Sequence, residues 1–201
     1  MFTGIVEEIG LVDELAEKSG GWSLTVRGRT VLGETQLGDS IAVNGVCLTV
    51  TEFGENNFTV GLSPETLRRS NLGDLQSDNA VNLERSLAAN GRVGGHFVQG
   101  HIDGTGVASA FQAEGDSLWV TVEAAPELLR YIVPKGYIAV DGVSLTVVDV
   151  LPNAFTFMLV AYTQQHITLP HKRIGSRVNL EVDVLGKYVE KFIGESKHAA
   201  G

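Results

Sequence analysis

The segment Ile41-Ala42-Val43-Asn44-Gly45-Val46-Cys47-Leu48-Thr49-Val50 returns 97 positions later as Ile138-Ala139-Val140-Asp141-Gly142-Val143-Ser144-Leu145-Thr146-Val147, identical at eight of its ten positions. The same spacing pairs Trp22 with Trp119, Phe58 with Phe155, Thr66 with Thr163, Leu72 with Leu169, and Val81-Asn82-Leu83-Glu84 with Val178-Asn179-Leu180-Glu181. Near the start the spacing is 96, with Gly4-Ile5-Val6-Glu7 facing Gly100-His101-Ile102-Asp103, which places a one-residue gain or loss in the first hairpin. Short-period solenoids need three or more units to bury a continuous core. Two long copies in a chain of 201 residues point instead to two small domains, each with its own core.

Within each copy strand signals dominate. Trp22-Ser23-Leu24-Thr25-Val26 and Leu118-Trp119-Val120-Thr121-Val122 alternate as half-buried strands do. Asn44-Gly45 and Asp141-Gly142 are residue pairs that accept positive φ, so each marks a tight turn between an Ile-Ala-Val strand and a Val-x-Leu-Thr-Val strand. Phe58–Leu62 and Phe155–Leu159 supply further strands. Short strands at this spacing make a small barrel or a sandwich, and a barrel removes the exposed edges.

Helix is sparse. Ser63-Pro64-Glu65 reads as an N-cap with proline in the first turn, and Ala125–Ile132 as a second short helix. Near the C-terminus Leu185, Tyr188, Val189, Phe192 and Ile193 fall on one stripe, with Gly194 placed to end the helix. That stripe either docks on the module surface or makes a subunit contact.

Several function classes lack support. A net charge of −9 opposes nucleic acid, whose phosphates need a basic face. No apolar run reaches the roughly 20 residues of a membrane span. Met1–Glu8 has no basic region of a secretory signal, and the single cysteine excludes an internal disulfide framework. A cytoplasmic location is expected; an organelle protein whose transit peptide has been removed would read the same way. His96 and His101, five apart, and the lone Cys47 do not match zinc spacings, so no metal is expected. The Gly-rich connector Ala88–His96 lacks the strand and helix context of a nucleotide-binding loop. A triad of Ser144, His101 and Asp141 lacks the Gly-x-Ser-x-Gly elbow.

The differences between the copies are more informative. Cys47 faces Ser144, Asn44 faces Asp141, Ile5 faces His101 and Gly38 faces Lys135. Drift in surface turns explains any single pair. All four together place hydroxyl, carboxylate, imidazole and ammonium groups in the second copy, which suits two similar ligands with different fates.

Met1–Val6, Asn44–Val50, Gly94–Asp103 and Asp141–Val147 together resemble the riboflavin synthase family, of the trimeric alpha-chain type, from Met1 to about Ile193. The resemblance implies an all-β fold of two homologous six-stranded Greek-key barrels in tandem plus a C-terminal α-helix. It divides the chain into a lumazine-binding barrel over residues 1–97, a second over 98–184, and an oligomerising helix and tail over 185–201. It implies dismutation of two molecules of 6,7-dimethyl-8-ribityllumazine by four-carbon transfer, giving riboflavin and 5-amino-6-ribitylamino-uracil, with no metal or redox cofactor. It further implies a homotrimer whose active site joins the N-terminal barrel of one subunit to the C-terminal barrel of its neighbour. The alternative is a non-catalytic lumazine or flavin carrier of the same superfamily.

Carried over by motif, the N-terminal pocket takes Gly4, Ile5, Val6, Cys47, Leu48, Thr49, Gly61, Leu62, Ser63, Pro64, Glu65 and Thr66. The C-terminal pocket takes Gly100, His101, Ile102, Lys135, Ser144, Leu145, Thr146, Met158, Leu159, Val160, Ala161, Tyr162 and Thr163. His101, Ser144, Thr146, Cys47 and Phe2 form the implied catalytic set. Bacterial members often carry Pro-Glu-Thr at the end of the last segment; Ala161-Tyr162-Thr163 stands here, so main-chain contacts must serve where a Glu side chain would.

Overall fold

The computed structural model describes residues 1–18 and 21–198. Alternation sends Ile41, Val43, Val46, Leu48, Val50, Phe58 and Val60 to one side of their strands, and a closed sheet gathers them into one core. The first six strands are β1 (Glu8–Lys18), β2 (Gly21–Arg27), β3 (Ser40–Val43), β4 (Val46–Phe53), β5 (Asn57–Leu62) and β6 (Ala80–Arg85). They close antiparallel in the order β1-β2-β5-β4-β3-β6. The second six are β7 (Gly104–Glu114), β8 (Ser117–Glu123), β9 (Tyr137–Val140), β10 (Val143–Val150), β11 (Ala154–Leu159) and β12 (Arg177–Val182), closed in the equivalent order. Their core holds Val120, Ile138, Phe155, Phe157 and Leu180.

Among the described residues four α-helices accompany the barrels: α1 (Pro64–Arg69), α2 (Pro126–Leu129), α3 (Ala161–His166) and α4 (Val184–His198). The cap at α1 is as expected, with Ser63 Oγ accepting from the Thr66 amide at 3.0 Å. Gly194 does not end the terminal helix, which continues to His198. A glycine inside a helix costs about 1 kcal/mol relative to alanine and does not forbid it. Residues 199–201 of the expected tail lie outside the described residues.

The register corrects the alignment of the two copies. Val26 pairs with Phe58 and Val122 with Phe155, so β2 and β8 are still related by 96 while β5 and β11 are related by 97. Trp22 pairs with Leu62, and the residue paired with the equivalent Leu159 is Leu118, not Trp119. The inserted residue therefore lies beyond the first hairpin. It falls between the second and third strands, where 12 residues (28–39) in the first copy face 13 (124–136) in the second. Identity of two tryptophans is weak evidence beside strand register, because a one-residue slip turns a side chain to the opposite face.

The two hairpin turns are buried against each other. Asn44 and Asp141 are 1% and 0% exposed, and both have φ of 45°. They do not belong to surface turns open to drift. Gly45 and Gly142 meet so closely that a Cβ on either would lie 2.6 or 2.7 Å from the other's backbone nitrogen. Reciprocal hydrogen bonds tie the halves: Asn82 Nδ2 donates to the Asp141 carbonyl at 2.9 Å and Asn179 Nδ2 to the Asn44 carbonyl at 2.8 Å. Asn82 Oδ1 accepts from the Thr168 amide, and Asn179 Oδ1 from the equivalent Asn71 amide. Asp141 breaks this approximate two-fold: Lys172 pairs with it at 3.1 Å and Asn71 Nδ2 donates to its Oδ1 at 2.9 Å.

Helix α4 turns its polar side to the second barrel. Lys187 pairs with Asp103 at 2.7 Å, and Glu190 meets Arg130 and the Tyr131 hydroxyl. Leu185, Tyr188, Val189, Phe192 and Ile193 are each more than half exposed. The stripe is therefore not docked on its own module.

Candidate active site

Alternation along β4 and β10 sends Leu48 and Leu145 into the cores and leaves Cys47, Thr49, Ser144 and Thr146 on the outer faces. Cys47 and Ser144 are half-buried, and Thr49 and Thr146 are exposed. On β5 and β11 the same rule buries Leu62 and Leu159 and turns Gly61, Met158 and the following Val160 outward. The two outer faces are equivalent surfaces on the two barrels.

Each face is completed from the other half of the chain. The Ser144 amide donates to the Gly4 carbonyl at 2.8 Å, and the Cys47 amide to the Gly100 carbonyl at 2.9 Å. A Cβ on Gly4 would lie 2.6 Å from Ser144 Cβ, and one on Gly100 would lie 2.6 Å from Cys47 Cβ. Val6 packs against the second core and Ile102 against the first. A short antiparallel bridge of Phe2 with Val98 carries the crossing, through bonds of 2.7 and 3.1 Å. The assignment of Gly4–Val6 to the Cys47 face, and of Gly100–Ile102 to the Ser144 face, is thus reversed in the structure. Sequence neighbours within a repeat are not spatial neighbours when the leading segments of both copies cross over.

Three buried titratable groups lie at or behind these faces: His96, Glu84 and Glu181. His96 Nδ1 lies 2.7 Å from Ser144 Oγ, and its ring stacks on Tyr137 at 5.1 Å and 8°. Burial lowers the His96 pKa, partly opposed by Asp183, so the neutral ring is favoured, and its tautomer sets the direction of the bond with Ser144. A side chain at Gly95 has no room, because its Cβ would lie 2.3 Å from the Thr3 carbonyl and 2.6 Å from Ser144 Oγ. Glu84 accepts from the Thr3 amide at 2.7 Å and the Gly4 amide at 3.1 Å. Glu181 accepts from the Gln99, Gly100 and His101 amides at 2.6, 2.8 and 2.8 Å. Burial pushes Glu84 up to about 7, against the pull of those amides, and raises Glu181 for the same reason. Among the described residues no cluster of three or more His, Cys, Asp or Glu could hold a metal ion.

A family model of the lumazine binding domain matches residues 3–86 and again 99–183. The riboflavin synthase of Actinobacillus pleuropneumoniae is 48% identical over 96% of this chain and 90% of that protein. Those of Bacillus subtilis and Schizosaccharomyces pombe are each 44% identical over 96% of the chain, covering 90% and 94% of the relatives. The chain belongs to the riboflavin synthase family. Crystal structures of LumP share the fold: its complex with riboflavin gives a TM-score of 0.84 and its complex with 6,7-dimethyl-8-(1'-D-ribityl) lumazine 0.81. Both are 22% identical and cover 91% of this chain, against 100% and 99% of LumP.

The residues implied by the family resemblance fall into distinct places. Cys47, Thr49, Gly61, Ser63 and Ile102 lie on or beside the first face; Ser144, Thr146, Met158, Val160, Gly4 and Val6 on or beside the second. Leu48, Leu62, Leu145 and Leu159 are core residues, so their side chains point away from the outer faces. Lys135 is exposed and has a φ of 66°, on the turn whose amide donates to the Val147 carbonyl. Phe2 is fully buried with Ala42, Val98 and Ala139 and lies against Gly100. It holds the crossing in place from beneath the surface. The histidine beside Ser144 is His96, while His101 is exposed on the segment held by Glu181. Asp141 is sequestered among Asn71, Asn179 and Lys172 and completes no triad.

Where the first copy has Glu65 spanning Arg68 and Arg69, the second has Tyr162 stacked on His166 at 4.1 Å. Sequence reasoning passed over His96, Glu84 and Glu181. The two glutamates carried a signal, since both copies keep a carboxylate at the end of the same Val-Asn-Leu-Glu strand.

Proposed function

We propose that the chain converts two molecules of 6,7-dimethyl-8-ribityllumazine into riboflavin and 5-amino-6-ribitylamino-uracil by four-carbon transfer. The observation that carries this reading is the pair of equivalent outer faces, alike in backbone and unlike in chemistry, in a chain 41–48% identical to curated riboflavin synthases. Like faces hold like pteridines; Cys47 on one and the Ser144–His96 pair on the other give the two bound molecules different fates.

The 7-methyl group of the bound pteridine is acidic because its carbanion is delocalised into the ring. A base must take that proton, and hydroxyls must meet the negative charge that develops. His101, Ser144, Thr146 and Cys47 are the groups offered, with His96 beside Ser144. Ser144 and Thr146 donate to the ring, and a neutral imidazole accepts a proton near working pH. Holding two flat substrates face to face contributes through effective concentration and orientation. The implied reaction calls on no metal or redox cofactor.

The assembly belongs to the same proposal: a homotrimer in which the first face of one subunit closes on the second face of its neighbour, in the cytoplasm. Two features support it. Both faces are open on the single chain, and α4 presents its apolar stripe outward while its polar side is occupied. Large exposed apolar patches mark interaction surfaces.

The test is direct. Purified protein mixed with 6,7-dimethyl-8-ribityllumazine is expected to generate riboflavin fluorescence together with the pyrimidine product in equal amounts. Quenching of lumazine emission without any riboflavin above the protein-free control would leave a carrier and sink the enzyme reading.

A further inference from the structure

The two crossing segments are held by a device that appears once in each half. Gly4 and Gly100 have φ of 75° and 80°, a conformation that turns successive amides to one side. Glu84 fills the concavity made by Thr3 and Gly4, and its Oε1 also accepts from the Thr3 hydroxyl at 3.2 Å. Glu181 fills the equivalent concavity at Gln99, Gly100 and His101. Glu84 and Glu181 are only 7% and 2% exposed, and their oxygens accept from backbone amides and one hydroxyl. Burying a carboxylate against neutral donors is costly, and a fold that needed only to tie down a loop has cheaper means.

The carboxylate does more than tie down a loop. The glycine whose amide it receives is the glycine whose carbonyl binds Ser144 or Cys47 and whose Cα leaves no room for a methyl group against that residue. Glu84 stands on β6 of the first barrel, yet the segment it holds covers Ser144 of the second. Glu181 stands on β12 of the second barrel, and its segment covers Cys47 of the first.

We propose that Glu84 and Glu181 are positioning residues for the pocket on the opposite barrel: each sets the seat of the Gly4 or Gly100 turn and so the shape of the face around Ser144 or Cys47. The inference rests on the reading that these faces bind the pteridine. Substitution by glutamine preserves size but replaces one acceptor oxygen by an NH₂ that faces backbone N–H groups.

Riboflavin titration of the full-length protein, followed by backbone amide NMR, reads the two faces separately. Thr49 and Gly61 report one face, and Thr146 and Met158 the other. Glu84→Gln is expected to weaken binding at Thr146 and Met158 by about tenfold, the loss of one buried hydrogen bond, and to change the other face by less than about twofold. Glu181→Gln is expected to give the mirror image, and serves if Glu84→Gln does not fold. A loss confined to the barrel that carries the substitution, or an equal loss at both faces, overturns the inference.

Amide exchange without ligand supplies the independent readout. Glu84→Gln is expected to speed exchange at Thr3 and Gly4 and leave Gln99–His101 unchanged. Unaltered exchange at Thr3 and Gly4 overturns the clamp even if riboflavin binds; altered exchange with no riboflavin shifts in the unmodified protein would instead remove the pteridine reading alone.

Discussion

Replacing Gly142 by alanine tests the idea that the two barrels are held by backbone contact between their hairpin turns. The substitution meets two penalties. At φ of 79° an L-residue in the left-handed region costs about 1–2 kcal/mol. The new methyl group would lie 2.7 Å from the Gly45 nitrogen and 2.8 Å from its Cα, and no side chain can rotate away. Overpacking of this kind costs about 1–3 kcal/mol, so the total is about 2–5 kcal/mol. Gly115 supplies the control, because it has φ of 61° and nothing within 4 Å of its Cβ position, and Gly115→Ala should show only the conformational part. Urea denaturation followed by circular dichroism and tryptophan emission measures both. Gly142→Ala is expected to lose more stability than Gly115→Ala and to separate the unfolding of the two barrels into distinct transitions. Equal losses in the two variants would refute the backbone contact as the source of the coupling.

Three further outcomes are expected. Glu84 in the folded chain holds its proton up to about pH 7, against an ordinary value of 4.5, because burial penalises the carboxylate. A raised carboxyl pKa contributes stability that is complete below pH 4.5 and is lost as pH rises through 7, a difference of about 3 kcal/mol. Melting temperatures of the native protein should therefore fall across that window more steeply than those of Glu84→Gln, and parallel curves would contradict the assignment. Polar substitution of Leu185, Val189 and Phe192 together should shift the mass in sedimentation towards monomer and reduce turnover; an intact, active oligomer would sink the interface. Ser144→Ala and His101→Ala should lower kcat by about 10²-fold or more while lumazine affinity changes far less, as loss of proton-transfer groups does. Unchanged turnover in either would remove that residue from the chemistry.

Much of the architecture was legible without coordinates because it depends on local periodicity and on duplication. Alternation at Trp22–Val26 and Phe58–Leu62, positive-φ pairs at Asn44-Gly45 and Asp141-Gly142, and the cap at Ser63 each act over a few residues. Each appears where it was expected. The terminal stripe was equally visible, since a helix face is a matter of spacing alone.

What the tertiary structure decided concerns contacts between residues far apart in the chain. Ordinary turn residues at Asn44 and Asp141 became the buried centre of the molecule, because two closed barrels related by approximate two-fold symmetry meet there. Trp22 and Trp119 proved not to be equivalent, because strand register, not residue identity, places a side chain inside or outside a barrel. The pairing of His96 with Ser144 left no trace in a glycine-rich connector, since a hydrogen bond across 48 residues depends on where the chain returns. The repeat itself determined that there are two like faces; the crossing of Gly4 and Gly100 determined that each face is completed by the other half, because buried Glu84 and Glu181 draw those amides across.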